Sequence, residues 1–211
     1  MDPKTIVEFV VHIDHYLEQI IQNFGPWAYL MLFVVIFAET GFVVTPFLPG
    51  DSLLFAAGTF AAIGAFDVFW LTVMLMAGAV AGDSANYFIG KILGNKAYQN
   101  PRWIKKEYLA RTHQFYEKYG AKTIVLARFV PIVRTFAPFV AGIGKMNYRT
   151  FFAYNVTGGV LWVMICVLGG YFFGNIPVVR NNFSAVILII IILSILPAVI
   201  EVWKHNRNKT K

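Results

Sequence analysis

The apolar positions of the chain fall into long uncharged blocks, at 19–38, 52–66, 68–82, 150–179 and 181–200. About 20 mostly apolar residues are needed to cross roughly 30 Å of hydrocarbon as a helix. Three full crossings are predicted, at 68–90, 148–174 and 183–203. The first has Trp70 at its outer end and Lys91 at its inner end, and Trp203 and Lys204 close the last. Before them, Ile6, Phe9, Val10, Ile13, Leu17, Ile20 and Ile21 recur at helical spacing. Glu8, His12, Asp14, His15 and Glu18 lie between them. That pattern predicts an amphipathic helix over 5–22 lying in the membrane interface, too polar to span it.

Two further apolar segments are punctuated. In 27–66, an apolar arm stops at Glu39-Thr-Gly, Pro46, Pro49 and Gly50 follow, and Asp51-Ser52 opens a second arm. In 123–143, Pro131 and Pro138 interrupt the run, which also carries Arg128 and Arg134. Arms this short predict re-entrant helical hairpins, since irregular backbone at depth is tolerated only beside protein or a wet cavity. Counting crossings favours the second hairpin. If 123–143 spanned, the basic tail would emerge outside; if it returns, the tail is cytoplasmic, as the positive-inside rule requires. The predicted fold class is therefore an all-α polytopic membrane protein. It is an inverted repeat of re-entrant hairpin plus crossing helix, framed by an N-terminal interfacial amphipathic helix and a C-terminal transmembrane helix. The N-terminal helix is placed outside. Gly78, Gly82, Asn86 and Gly90 form a stripe on the first crossing helix suited to close helix packing.

Composition reinforces this. Of 211 residues, 58% are hydrophobic and only 14% charged, against about 25% charged in soluble domains. One membrane domain over 1–211 is expected. The net charge of +7 is not a nucleic-acid signal. It collects in a basic loop over 91–122 and in the tail residues Lys204, Arg207, Lys209 and Lys211, both expected in the cytoplasm. The single Cys166 excludes a disulfide framework. With Asp2 and Glu8 in place of a basic leader region, no signal-peptide cleavage is expected.

Five ionisable residues interrupt apolar segments: Glu39, Asp51, Asp83, Arg128 and Arg134. A charge at the bilayer centre costs on the order of 3 kcal/mol, so such residues face a cavity or one another. The first hairpin contributes only carboxylates and the second only guanidiniums, so opposed tips would pair acid with base. Arg128 and Arg134 flank Pro131 and offer planar forks to phosphate or carboxylate oxygens beside a broken helix. An anion site is one reading, and plain neutralisation of Glu39 and Asp51 is the other. Glu39 sits where both the helix dipole and desolvation disfavour its charge, so proton coupling and simple charge pairing stand equally open. Asp51 also looks like a helix N-cap. Asp83, with Tyr87 one turn on, and Asn155 are supporting polar groups, most simply clamps between helices. All four histidines lie outside the hydrophobic runs, so neither a metal site nor a cofactor is expected. No catalytic motif points to an enzyme.

These residues carry a resemblance. Glu39-Thr-Gly, Pro46-Phe-Leu-Pro49-Gly50-Asp51-Ser52-Leu53, Gly82-Asp83 with Tyr87 and Gly90, and Phe129-Val-Pro131-Ile-Val-Arg134-Thr-Phe-Ala-Pro138-Phe-Val-Ala-Gly142 resemble the DedA family over roughly 5–204. The resemblance implies a bacterial inner-membrane protein with two opposed re-entrant hairpins and kinship to VTT-domain lipid scramblases. Some relatives translocate undecaprenyl phosphate; others are linked to homeostasis dependent on the proton-motive force. The acidic and basic residues required in relatives would fall on Glu39, Asp51, Arg128 and Arg134. The expected function is a lipid-phosphate translocase, with polyprenyl phosphate or a phospholipid, the bilayer and protons as partners, and an oligomer compatible. Two rivals stay open: a proton-coupled transporter of a soluble solute or drug, and a non-transporting membrane organiser.

Overall fold

The computed structural model describes residues 24–42, 50–99, 106–182, 185, 186 and 189. All regular secondary structure among them is helical. In chain order the helices are α1 (Pro26–Gly41), α2 (Gly50–Ala62), α3 (Val68–Gln99), α4 (Lys106–Tyr119), a 3-10 turn (Gly120–Lys122), α5 (Thr123–Ala127), α6 (Pro131–Ile143), α7 (Tyr148–Gly174) and α8 (Pro177–Asn181). The expected interfacial helix at 5–22 lies outside the described residues. So do nearly all of the expected crossing at 183–203 and residues 43–49 within the first broken segment.

Among the described residues, two helices are long and apolar enough to cross a bilayer: Val68–Ile92 within α3, and α7. The chain is thus an all-α, multi-helix membrane protein with two apolar membrane-spanning helices. The 16 residues of α1 and the 13 each of α2 and α6 give about 20–24 Å of helix, short of the roughly 30 Å core. Within the expected basic loop at 91–122 the described residues are largely helical, as the helical-looking stretch Tyr108–Tyr119 leads one to expect. Helix α3 runs on to Gln99, and α4 fills Lys106–Tyr119. Hydropathy marks where a helix leaves the lipid, whereas helix formers such as Lys91, Leu93 and Ala97 carry the backbone further.

The break between α5 and α6 follows from local chemistry. Val130 is extended (φ −122, ψ 105) because Pro131 follows it, and Pro131 opens α6, where its missing donor costs nothing. The Arg134 N–H donates to the Val130 carbonyl at 2.9 Å. The helix axis therefore restarts between Arg128 and Arg134.

The structure divides into two compact units. One draws on Leu30–Leu48 and Thr72–Met164, the other on Met1–Tyr29, Pro49–Leu71 and Ile165–Lys211. In the second, Asp67 caps α3 by accepting from the Trp70 N–H at 2.9 Å, and its own N–H donates to the Tyr29 hydroxyl at 2.8 Å. There α2 lies against the end of α7. A Cβ on Gly170 would strike the Phe55 carbonyl, and one on Gly58 would strike the Val167 carbonyl and the Tyr171 nitrogen.

The first unit contains the same joint between α6 and α3. A Cβ on Gly90 would strike the Phe139 carbonyl, and one on Gly142 the Tyr87 carbonyl and the Lys91 nitrogen. In each of these joints a glycine of the short arm and a glycine of the spanning helix lie against the backbone of the opposite helix. The expected stripe on α3 also receives α1, where Gly78 faces Phe33 and Gly82 faces Phe37, Thr40 and Gly41. Tyr87, Ile124, Ala127, Val133, Ala137, Ala141 and Phe151 form the apolar core beside them.

Candidate functional site

Four charged side chains gather inside the unit formed by Leu30–Leu48 and Thr72–Met164. Arg128, in the break after α5, donates through Nη2 to Asp83 Oδ2 at 2.6 Å and to Asn155 Oδ1 at 2.7 Å. Arg134, in the first turn of α6, donates through Nη2 to Glu39 Oε1 at 2.7 Å. The two guanidiniums are enclosed to different degrees. The Arg128 and Asp83 side chains are 3% and 6% exposed, and those of Arg134 and Glu39 are 13% and 4% exposed.

Each charge is held by a different element. Glu39 comes from the last turn of α1, Asp83 from mid-α3 and Asn155 from α7. The Asn155 amide donates to the Val80 carbonyl at 3.0 Å and to Ser84 Oγ at 3.3 Å, which fixes its oxygen toward Arg128. Gly158 and Gly159 on α7 leave a notch for the arginine: a Cβ on Gly158 would lie 3.1 Å from Arg128 Cδ and Nε. Asn86 braces the arms, donating to the Thr40 carbonyl at 3.0 Å and the Thr135 carbonyl at 2.9 Å. The Thr40 carbonyl belongs to the last turn of α1, where helix geometry supplies no partner.

Above both guanidiniums lies one ring. Trp162 of α7 is 2% exposed, with Arg128 Cζ 5.6 Å and Arg134 Cζ 5.2 Å from its centroid. Cations within about 6 Å of an indole face are attracted to its quadrupole, more strongly when desolvated. Two like charges are thus held apart by a carboxylate each and share an aromatic surface.

Of the residues singled out in the sequence, Glu39, Asp83, Arg128, Arg134 and Asn155 come together here. The carboxylate on Arg128 is Asp83, not Asp51. Asp51 is exposed in the other unit, in the first turn of α2. Tyr87 is buried but faces elsewhere: its hydroxyl donates to the Met146 carbonyl, and its ring stacks on Phe151 at 4.6 Å. Trp162 and Asn86 were not anticipated as site residues. Asn155, Gly158, Gly159 and Trp162 recur at three, four and seven residues, so they share one helix face. That was the available signal for Trp162. Among the described residues no three His, Cys, Asp or Glu side chains cluster as a metal site. Outside the crossing helices, burial and then the Asp83 charge push the Tyr116 phenol well above its usual range. It therefore stays protonated and donates to the Ala137 carbonyl at 2.9 Å.

Two helices long and apolar enough to span a bilayer, with a buried, charge-balanced cluster between them, define an all-α membrane protein. Residues 48–172 match the family model described as VTT domain, and the chain belongs to that family, of which DedA is a member. It is 52% identical to Protein DedA of Escherichia coli (strain K12) over 206 residues, covering 96% of this chain and 94% of that one. An uncharacterized membrane protein of Mycobacterium tuberculosis (strain ATCC 25618 / H37Rv) is 42% identical over 187 residues, covering 84% and 81%. Inner membrane protein YqjA of Escherichia coli (strain K12) is 36% identical over 154 residues, covering 71% and 69%. No solved structure matches the chain.

Proposed function

We propose that the protein is a lipid-phosphate translocase, carrying the head of undecaprenyl phosphate or a related lipid across the inner membrane. The tail of such a lipid never needs to leave hydrocarbon; only the anionic head needs a polar path. Arg128 and Arg134 supply the positive field for the phosphate, and Glu39 and Asp83 neutralise them when no lipid is bound. Protonation of Glu39 releases its arginine and couples the cycle to the proton gradient. Asp51 contributes as a second carboxylate of the first hairpin. The broken segments at 27–66 and 123–143 act as opposed re-entrant hairpins of an inverted repeat, with the C-terminus in the cytoplasm. The matching glycine joints of α2 with α7 and α6 with α3 support that repeat.

The observation that carries the reading is the burial of two guanidiniums, each bonded to a carboxylate from another helix, within a largely apolar unit. Two paired charges of this kind are costly to bury, and a hydrophobic replacement would be at least as stable. Their retention fits a site where an anion exchanges with a carboxylate. The test is a flipping assay with the purified protein in liposomes, using fluorescent polyprenyl phosphate with and without a pH gradient. Transfer above protein-free vesicles, lost on Arg134→Lys, is expected. Uptake of a soluble solute without lipid transfer would replace this reading with that of a solute transporter.

A further inference from the structure

One side of the centre is built without charge. From Thr150 to Gly174, α7 carries no Asp, Glu, Lys, Arg or His, yet both guanidiniums lie against it. Arg128 donates to Asn155 Oδ1 at 2.7 Å, and a Cβ on Gly159 would lie 3.3 Å from its Nη2. Two turns on from Asn155, on the same face, the buried Trp162 ring stands 5.6 Å from Arg128 Cζ and 5.2 Å from Arg134 Cζ. The carboxylates come from other helices, Glu39 from α1 and Asp83 from α3. Guanidinium–aromatic contacts of energetic weight occur about once per 70–80 residues. Convergence of two on one buried ring is therefore more than filling the core requires.

We propose that Trp162 is a positioning residue of the centre: its indole is the neutral partner that keeps Arg128 and Arg134 in place while an anionic lipid head exchanges with a carboxylate. The inference rests on the lipid-phosphate reading and deepens it. A carboxylate and an indole hold an arginine in different ways. A carboxylate occupies the N–H donors that an arriving phosphate needs, so the two anions compete for one fork. An indole face attracts the cation through its quadrupole, leaves those donors directed elsewhere and carries no charge for the phosphate to displace. An anion can thus replace Glu39 on Arg134 while Trp162 stays where it is. Leucine or valine in its place would fill space but give a guanidinium nothing to stand on between one anion and the next.

The test separates the electronics of the ring from its shape. Cell-free synthesis of the full chain into liposomes, with a chemically acylated suppressor tRNA, places tryptophan or its mono-, di- or trifluorinated form at position 162 alone. Each fluorine weakens the quadrupole and leaves the outline of the ring nearly unchanged. Transfer of fluorescent polyprenyl phosphate, measured per folded molecule, should fall stepwise with fluorine number, by about tenfold at the third. Trp162→Phe, which keeps a weaker face, should lie within that series, and Trp162→Leu below it. Equal transfer across the fluorinated series, with only Trp162→Leu impaired, makes the ring a space-filler and overturns the inference while leaving lipid transport standing. A wild-type chain that transfers no lipid overturns the lipid-phosphate reading itself, and this inference with it.

Discussion

Arg128 and Asp83 meet at 2.6 Å with their side chains 3% and 6% exposed, so this ion pair has almost no water to fall back on. Removing one partner of such a pair strands the other charge, at a cost of about 3–5 kcal/mol. Asp83→Asn should lower unfolding stability in detergent by roughly that amount. Adding Arg128→Met should recover much of the loss, because the buried charge disappears with its partner. A stability loss in the double variant equal to the sum of the single losses would show that the two groups do not act as a pair.

Arg134 responds differently, being more exposed and bonded to a carboxylate on a short arm. Lysine keeps the charge but loses the planar fork. Arg134→Lys should leave the thermal midpoint within a few degrees of wild type yet reduce lipid-head binding at least tenfold. Arg128→Lys should do the reverse in emphasis, with a large drop in midpoint as Asn155 and Asp83 lose their shared donor. Measuring midpoint and head binding on both variants separates the roles. Equal effects on both quantities would mean that the arginines are interchangeable.

The partnership also specifies which charge reversal is informative. Glu39→Arg with Arg134→Glu keeps a pair between α1 and α6 and leaves Arg128 with Asp83. If the charges served only to hold the helices together, this double variant would transport normally. It should instead fold and reach the membrane but fail to flip lipid, because the cation no longer stands on the face of Trp162. Normal transport by the reversed pair would make the centre a strut.

Much of this arrangement was legible before any coordinates. A charge in an apolar block is conspicuous, so Glu39, Asp83, Arg128, Arg134 and Asn155 stood out, and the Pro131 break announced where α6 restarts. Choosing between Asp51 and Asp83 as the partner of Arg128 was not legible. Both are carboxylates near apolar runs, and only the packing of α3 against α7 through Gly158 and Gly159 decides between them. Trp162 was hidden for a different reason: an aromatic in a hydrophobic helix looks the same whether it faces lipid or a guanidinium. Trp27 and Trp70, which are 66% and 61% exposed, do face outward.

Tyr87 offers a control within the same unit. It is buried, donates to the Met146 carbonyl and stacks on Phe151, without touching either arginine. Tyr87→Phe should cost about 1–3 kcal/mol by leaving a buried carbonyl unsatisfied. The flipping rate per folded molecule should stay near wild type. A selective loss of transport at unchanged stability would bring Tyr87 into the site.

The paired glycine joints lend themselves to one further comparison. At Gly90 the nearest obstacle to a Cβ is the Phe139 backbone, and at Gly170 it is the Phe55 backbone. Backbone cannot rotate aside as a side chain can, so alanine at either site must push a short arm off its spanning helix. Overpacking of this kind typically costs about 1–3 kcal/mol. Gly90→Ala and Gly170→Ala should therefore destabilise to a similar degree. Gly64→Ala should show a smaller effect of a separate kind, since its Cβ would meet open space and only its positive φ of 89 resists the change. Unfolding of the three variants in one detergent provides the measurement. If Gly170→Ala is silent while Gly90→Ala is severe, the two joints are not equivalent, and the structural support for an internal repeat is removed.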